Sequence, residues 1–425
     1  MRWVLFHEII AMSWNTLRGN KLRSGLTILG VVIGITSIVG ITSLIRGFDE
    51  SFKDAFRQIG PDTIFVTKMS VVSFSAGVSR AELLRRPNLT TADAEAIERN
   101  APSIAVVDVI LGQQGGQSER VYYRNERTKS LVVLGTTEKY PEVTRVPMDL
   151  GRFFTASEVE RRRNVVVLGQ TPYEALFPVE DPIGKVVRIG LAQYQVVGVM
   201  AKRPSPGGFS MGADDLVIIP ETTYQKQFGL RAIDFGRGEN RPIMIGAVPV
   251  EGASREQAMR EVQEVMRVRH NLRLDQPDDF DLVTQDAVLR VWDQISQGTF
   301  LALIAISSIA LMVGGIGVLS IMTISVTERT REIGVRKALG ARRVEILWQF
   351  LVESVFLTSA GGILGILAGS AIGLAVHLVF NFPVSLPWWS FAIGIGFSAG
   401  VGVIAGMVPA IRASRLDPIE ALRYE

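Results

Sequence analysis

Two long stretches of this chain carry no charge, and a dense charged segment separates them. Residues 298–327 contain no Asp, Glu, Lys or Arg, and neither do residues 354–411. About 20 apolar residues cross a bilayer as a helix, so runs this long predict membrane spans rather than a soluble core. Residues 26–45 form another uncharged run. It exceeds the roughly 7–15 residues of a signal-peptide core, and no small-residue cleavage site follows, so it too reads as a span. Pro383 and Pro387 interrupt the last stretch and stop a helix there. The pattern therefore predicts spans at 26–45, 298–327, 354–379 and 388–411, with an outer turn at 380–387. Trp388 and Trp389 begin the fourth span, where an aromatic belt is expected.

Lys and Arg in short flanks orient the spans. Arg2, Arg18, Lys21 and Arg23 lie in the N-terminal segment 1–25, Arg412, Arg415 and Arg423 in the tail 412–425, and Arg329, Arg331, Arg336, Lys337, Arg342 and Arg343 in the loop 328–353. The turn 380–387 has none. These segments are expected in the cytoplasm and the segment 46–297 outside. Small residues four apart let helix backbones approach closely in lipid. Gly361, Gly365, Gly369 and Gly373 form such a strip on the third span. Gly30 with Gly34, Gly396 with Gly400, and Gly402 with Gly406 mark others. No span carries a charge in its middle, which argues against an ion-coupled carrier.

The outside segment alternates strand-like and helix-like patterns. Apolar β-rich runs predict strands at 63–67, 105–110, 131–134, 165–168, 185–189, 194–199 and 216–219. Helix starts are signalled by Thr90 with Asp93, Thr155 with Glu158, Thr171 with Glu174, and Ser254 with Gln257. The expected fold class is a membrane protein with four transmembrane α-helices and a large α+β extracytoplasmic domain of two lobes. The 203–208 and 236–238 segments read as exposed loops. Phe48, Phe52 and Phe56 recur every four residues past the first span, and 287–297 lacks Gly and Pro. Both spans are thus expected to continue outward as helical stalks.

Composition removes several chemistries. With no cysteine, disulfides, thiolate zinc sites and a Cys nucleophile are excluded. The 45 basic and 42 acidic residues nearly balance, so nothing points to nucleic acid. No G-x-x-x-x-G-K-[ST] loop is present, so ATP is not bound by that route. His7, His270 and His377 fall in different regions and form no simple metal cluster. His270 reads as a solvated helix end, His377 as packed or interfacial, and Arg161–Arg163 as a solvated face. No catalytic constellation emerges, and a non-catalytic protein is expected.

The 328–353 segment alternates charged and apolar positions. Glu332 and Arg336 are four apart and can bridge along a helix. Gly340 with Ala341 allows a turn, and residues 344–350 suit a helix at the membrane surface. Phe6, Ile9, Ile10, Trp14 and Leu17 give the N-terminal segment a similar amphipathic pattern.

The run from Val326-Thr327-Glu328 to Gly340-Ala341, with the tail from Pro409 to Leu422, resembles the permease part of macrolide-exporter (MacB) type ABC transporters, within the FtsX-like superfamily. The outside segment is similar in Gly60-Pro61-Asp62-Thr63-Ile64, Leu150-Gly151-Arg152-Phe153-Phe154, Val165-Val166-Val167-Leu168-Gly169, Leu176-Phe177-Pro178, Asp181-Pro182-Ile183-Gly184-Lys185 and Val196-Val197-Gly198-Val199. The likeness covers essentially the whole chain. It implies a periplasmic core domain at 46–297 and a permease homodimer in the inner membrane. It implies ATP and Mg bound by a partner ABC ATPase, expected to be separately encoded because MacB itself carries that domain fused at its N-terminus, whereas this sequence begins at the membrane helix. The chain itself is expected to bind no cofactor. Glu328, Arg329, Arg331, Glu332, Arg336 and Lys337 would contact the ATPase. A membrane-fusion adaptor and an outer-membrane channel are further implied partners. The resemblance implies efflux by mechanical coupling; FtsX-like signalling to a cell-wall hydrolase and lipoprotein release are the alternatives it leaves open.

Overall fold

The computed structural model describes residues 21–57, 62–113, 118–203, 214–229, 243–380 and 382–423. The N-terminal amphipathic segment and the 236–238 loop lie outside the described residues, as does most of the 203–208 loop. The chain divides into two compact units. One holds the segments up to Asp49 and from Ser296 onward, and the other holds Glu50–Ile295.

The first unit is helical. Its long helices are Lys21–Arg57, Gln285–Glu328, Arg343–Phe380 and Trp388–Arg415, the outer ends of the first two lying in the second unit. All four are long and apolar enough to cross a membrane. Each exceeds or equals its predicted span, because a helix continues until a breaker stops it, whereas lack of charge marks only the part within lipid. Residues 344–350 accordingly form no separate surface helix. They are the first turns of Arg343–Phe380, since the breaker is Gly340, at φ +95°, and none follows it before the third span.

Glycine sets the packing of these helices. A Cβ at Gly365 would lie 2.7 Å from Ile35 Cβ, and one at Gly369 would lie 3.0 Å from the Thr36 carbonyl oxygen. Gly361 faces Val31 and Gly373 faces Ser43, so the strip on the third span lies along the first. Thr36 donates its hydroxyl to the Gly365 carbonyl at 3.1 Å across the same contact. Gly30 meets Gly314 of the second span. Gly402 and Gly406 abut Thr358 and Ser354, whereas nothing lies within 4 Å of a Cβ at Gly396 or Gly400. Ser354 adds a 2.9 Å hydrogen bond to the Gly402 carbonyl.

The second unit is α+β and holds two sheets. A four-stranded antiparallel sheet runs in the order Asp281–Thr284, Ile64–Thr67, Met244–Pro249, Ile104–Ile110. Helices Thr91–Asn100 and Arg255–Arg269 cover it, burying Ile97, Val262 and Met266. The second sheet is inserted in sequence between Ile104–Ile110 and Met244–Pro249. It is mixed, with parallel pairs between Leu131–Thr136 and Leu216–Pro220 and between Val165–Leu168 and Ala192–Met200. The two expected lobes correspond to these sheets, and their buried residues form one continuous cluster that runs from Ile64 to Val217 and Val262. Tyr140, Phe154, Val167 and Ile218 lead a further cluster on the mixed sheet.

Every predicted strand is present, with ends shifted by no more than two residues. Met148–Gly151, Met244–Pro249 and Asp281–Thr284 went unrecognised. They contain Gly, Pro or Asp, which are depleted in strands, so pairing rather than propensity makes them strands. The Thr90 and Thr155 capping boxes form, and Ser254 caps through the Gln257 N–H. Thr171 does not cap. The helix Gln170–Leu176 begins after Gly169, and the Thr171 N–H bonds the Asp214 carbonyl.

The Leu150–Phe154 block is a structural device. Gly151, at φ +69°, lies where a Cβ would come 2.4 Å from the Val197 carbonyl oxygen. Arg152 grips Glu158 with two 2.8 Å bonds. That paired guanidinium holds the Glu158 carboxyl down at about 2, against the opposing effect of burial.

His270 overturns the solvated reading. It caps the C-terminus of Arg255–Arg269 with its side chain 8% exposed, 2.6 Å from Asp279 and 3.9 Å from Asp93. Two carboxylates converge there, Asp93 from the helix Thr91–Asn100 and Asp279 from the loop 271–280. The nearby Asp93 carboxylate raises the His270 pKa, burial opposes, and the hydrogen bond and charge of Asp279 reinforce the rise. A raised folded pKa means stability held below the unfolded value of about 6.5 and lost as pH rises through the folded one. The unfolding midpoint of the α+β unit should therefore fall as pH climbs past neutrality. In His270→Gln that part of the fall should vanish, as a pH series of hydrogen exchange at 255–270 can check.

Candidate functional site

The segment 328–353 begins where the second-span helix ends, at Glu328. Arg329 alone separates it from a new helix, Thr330–Ala338, and takes φ −104°, ψ 15°. The Thr330 hydroxyl sits between the carbonyls of Val326 and Thr327 at 3.0 and 2.8 Å, which fixes the break. Gly340 ends the short helix. The Arg342 N–H then donates to Glu345 Oε2 at 3.0 Å as the third-span helix starts.

One face of Thr330–Ala338 is held down. Ile333 is buried, and a Cβ at Gly334 would lie 2.8 Å from Ala421 Cβ on the tail helix Pro418–Arg423. Asp417 starts that tail helix by accepting the Ile419 N–H at 2.9 Å. Lys337 donates to the Leu416 carbonyl at 2.6 Å. Burial, with help from Arg343, holds its ammonium below the ordinary lysine value, while Asp417 opposes. Arg336 donates to Gln349 Oε1 at 2.7 Å, so it reaches across the turn rather than along the helix to Glu332. Arg329 lies 3.5 Å from the buried Glu353.

The other face is open. Glu328, Arg331 and Glu332 are exposed, with Val335 44% and Leu339 83% exposed beside them. The six residues singled out from sequence thus divide in two. Three present charge outward, while Arg329, Arg336 and Lys337 bind within the chain. Gln349, Glu353 and the Leu416 carbonyl were not singled out. Only Glu353 left a trace in the sequence, as an acid at the margin of an uncharged run. A groove of about 280 Å³ opens beside the helix, lined by Thr323, Thr327, Thr330, Pro409, Arg412 and Glu420.

Among the predicted stalk residues, Phe52 stacks on Trp292 with ring centroids 4.2 Å apart, and Lys53 pairs with Asp293 at 2.7 Å. Phe48 stacks on Phe382 at 6.0 Å. The Phe56 side chain lies outside the described residues. Trp292 was missed, because no periodicity joins it to residues 240 positions earlier. Among the described residues no group of three His, Asp or Glu side chains could hold a metal.

Four apolar helices, a clamped charged helix between two of them and a large α+β unit describe a multi-span membrane protein. Residues 24–265 match the family described as MacB-like periplasmic core domain, and residues 304–418 match the FtsX-like permease C-terminal family. The chain is 32% identical over 420 residues to the macrolide export ATP-binding/permease protein MacB of Bdellovibrio bacteriovorus, covering 98% of this chain and 62% of that protein. Its likeness to the MacB of Neisseria meningitidis serogroup A is 32% over 424 residues, covering 99% and 61%. The chain therefore spans less than two thirds of these curated relatives. Among solved structures, the periplasmic region of MacB from Actinobacillus actinomycetemcomitans covers 56% of this chain and 95% of its own, with a TM-score of 0.43 and 21% identity. The chain belongs to the MacB-like periplasmic core domain family of ABC transporter permeases, and its α+β unit is the extracytoplasmic domain.

Proposed function

We propose that this chain is a permease that expels substrate on the outer side of the inner membrane, driven by ATP hydrolysis in a partner ABC ATPase. In this reading both termini and 328–353 face the cytoplasm, and two copies of the permease work together. The observation that carries it is the division of Thr330–Ala338 into an outward charged face and an inward clamped one. A helix so held passes a push to the spans instead of yielding to it. Movement would then travel outward along the first two spans, whose continuations meet at Phe52 and Trp292. ATP and Mg would be bound by the ATPase, and an adaptor and outer channel would complete an efflux path. The relatives' names direct the first transport assays to macrolides.

Arg331→Glu tests the outward face. An exposed charge reversal shifts stability by only about 0.5 kcal/mol or less. The unfolding midpoint should stay unchanged while permease-stimulated ATP hydrolysis drops about tenfold, since an interface charge pair lost to like-charge contact costs at least that much. Wild-type stimulation in Arg331→Glu, Glu328→Lys and Glu332→Lys alike would remove the proposed docking face.

A further inference from the structure

We infer that Arg329 and Glu353 form an internal strut tying the coupling helix to the third span, and that Arg329 acts there rather than on the ATPase. The inference rests on the coupling reading above and assigns one of its residues a different task.

Arg329 occupies the one-residue break between the second span and Thr330–Ala338. A break is where a push on the short helix would be absorbed. Its guanidinium instead lies 3.5 Å from Glu353 Oε1, and the Glu353 side chain is only 5% exposed. A buried carboxylate is costly unless paired, so the interaction holds the break at one point on the third span. Arg336 reaches Gln349 on that same helix. Gln349 and Glu353 are four apart and share a face. The third span thus receives both ends of the coupling helix on one stripe of its surface, from Arg336 and from Arg329. Beyond them, the glycine strip from Gly361 to Gly373 lies against Val31, Ile35, Thr36 and Ser43 of the first span. A displacement of the coupling helix is therefore handed to the third span and on to the first, and does not bend the chain at residue 329. Arg329 is a positioning residue; the buried Glu353 cannot itself touch an ATPase.

A double-mutant cycle separates the strut from a docking role. Arg329→Ala, Glu353→Gln and the double variant are made in the full chain, in lipid nanodiscs, with the ABC ATPase that co-purifies with it. ATPase affinity and transport per ATP hydrolysed are read separately. Each single variant should lower coupled transport about tenfold, the double should be no worse than either, and affinity should stay within about twofold. The exchange Arg329→Glu with Glu353→Arg should restore part of the loss. Weakened ATPase binding in Arg329→Ala beside wild-type behaviour in Glu353→Gln would make Arg329 a docking residue and overturn the strut. Additive losses in the double variant would overturn it as well. Should a variant fail to fold, Arg329→Lys and Glu353→Asp carry the same cycle. If no ABC ATPase binds the wild-type chain, the coupling reading fails by itself. The unfolding midpoint in detergent then decides the strut, with a non-additive cycle keeping it and an additive one removing it.

Discussion

Asp108→Asn is expected to stabilise the extracytoplasmic domain at about pH 8 by about 4 kcal/mol, because burial raises the folded carboxyl from 3.8 to about 7 and ionising it there opposes folding. Asp108 is fully buried on the strand Ile104–Ile110. Its Oδ1 accepts the Thr137 N–H and hydroxyl at 3.0 and 2.6 Å, a link from the four-stranded sheet to the segment that leaves Leu131–Thr136. Oδ2 is buried with no hydrogen-bond partner, as is Glu221 Oε2. Burial first, opposed by the Thr137 bonds and reinforced by the Glu221 charge, pushes the Asp108 carboxyl up to about 7. Glu221 is itself raised by burial and by Glu138 and Glu95. A raised folded pKa favours the neutral acid, so stability is complete below the unfolded value of 3.8 and is lost as pH rises to about 7. Asparagine mimics that neutral form at every pH. The variant and the wild type should therefore behave alike near pH 4 and separate by pH 8. Hydrogen exchange of the 104–110 amides across that range reads the difference. A constant gap between the two proteins would show that Asp108 does not titrate in this window.

The second large effect is expected at Gly365. Leucine there would drive a side chain into Ile35, already 2.7 Å from the added Cβ, and would push the Gly365 carbonyl away from the Thr36 hydroxyl. Overpacking of a tight contact costs about 1–3 kcal/mol, and a lost interhelical hydrogen bond about 0.6 more. Gly396→Leu is the matched control, with the same residue type and spacing but nothing within 4 Å. Thermal unfolding in detergent should show a lowered midpoint for Gly365→Leu and a near-native one for Gly396→Leu. Equal losses would mean that glycine stabilises these helices by something other than the contact between the first and third spans.

The two glycines show why spacing is an incomplete guide. Gly396–Gly400 and Gly361–Gly365 have the same i, i+4 signature, yet only the second pair meets a neighbouring helix in this chain. Spacing states that a face is smooth, and the partner decides whether the smoothness is used. Charge behaves likewise. Arg329 and Arg331 are two positions apart in one basic run, but the first turns inward to Glu353 while the second stays exposed. His270 looked like a solvated helix end because its partners, Asp93 and Asp279, lie on a distant helix and a returning loop.

What the sequence by itself determined is what depends on neighbours along the chain. Absence of charge over 20 residues or more makes a membrane helix, prolines at 383 and 387 end one, and β-rich runs bounded by turn residues make strands. Those features are set by the solvent each segment must enter and by local backbone sterics, so they survive without knowledge of the fold. Tertiary structure alone decided which glycines touch a helix, which carboxyl is buried in the core with its pKa raised, and which half of the charged helix faces out. Each of these turns on groups far apart in sequence, 329 with 353, 337 with 416, 365 with 35, whose energies arise only when folding removes the water between them.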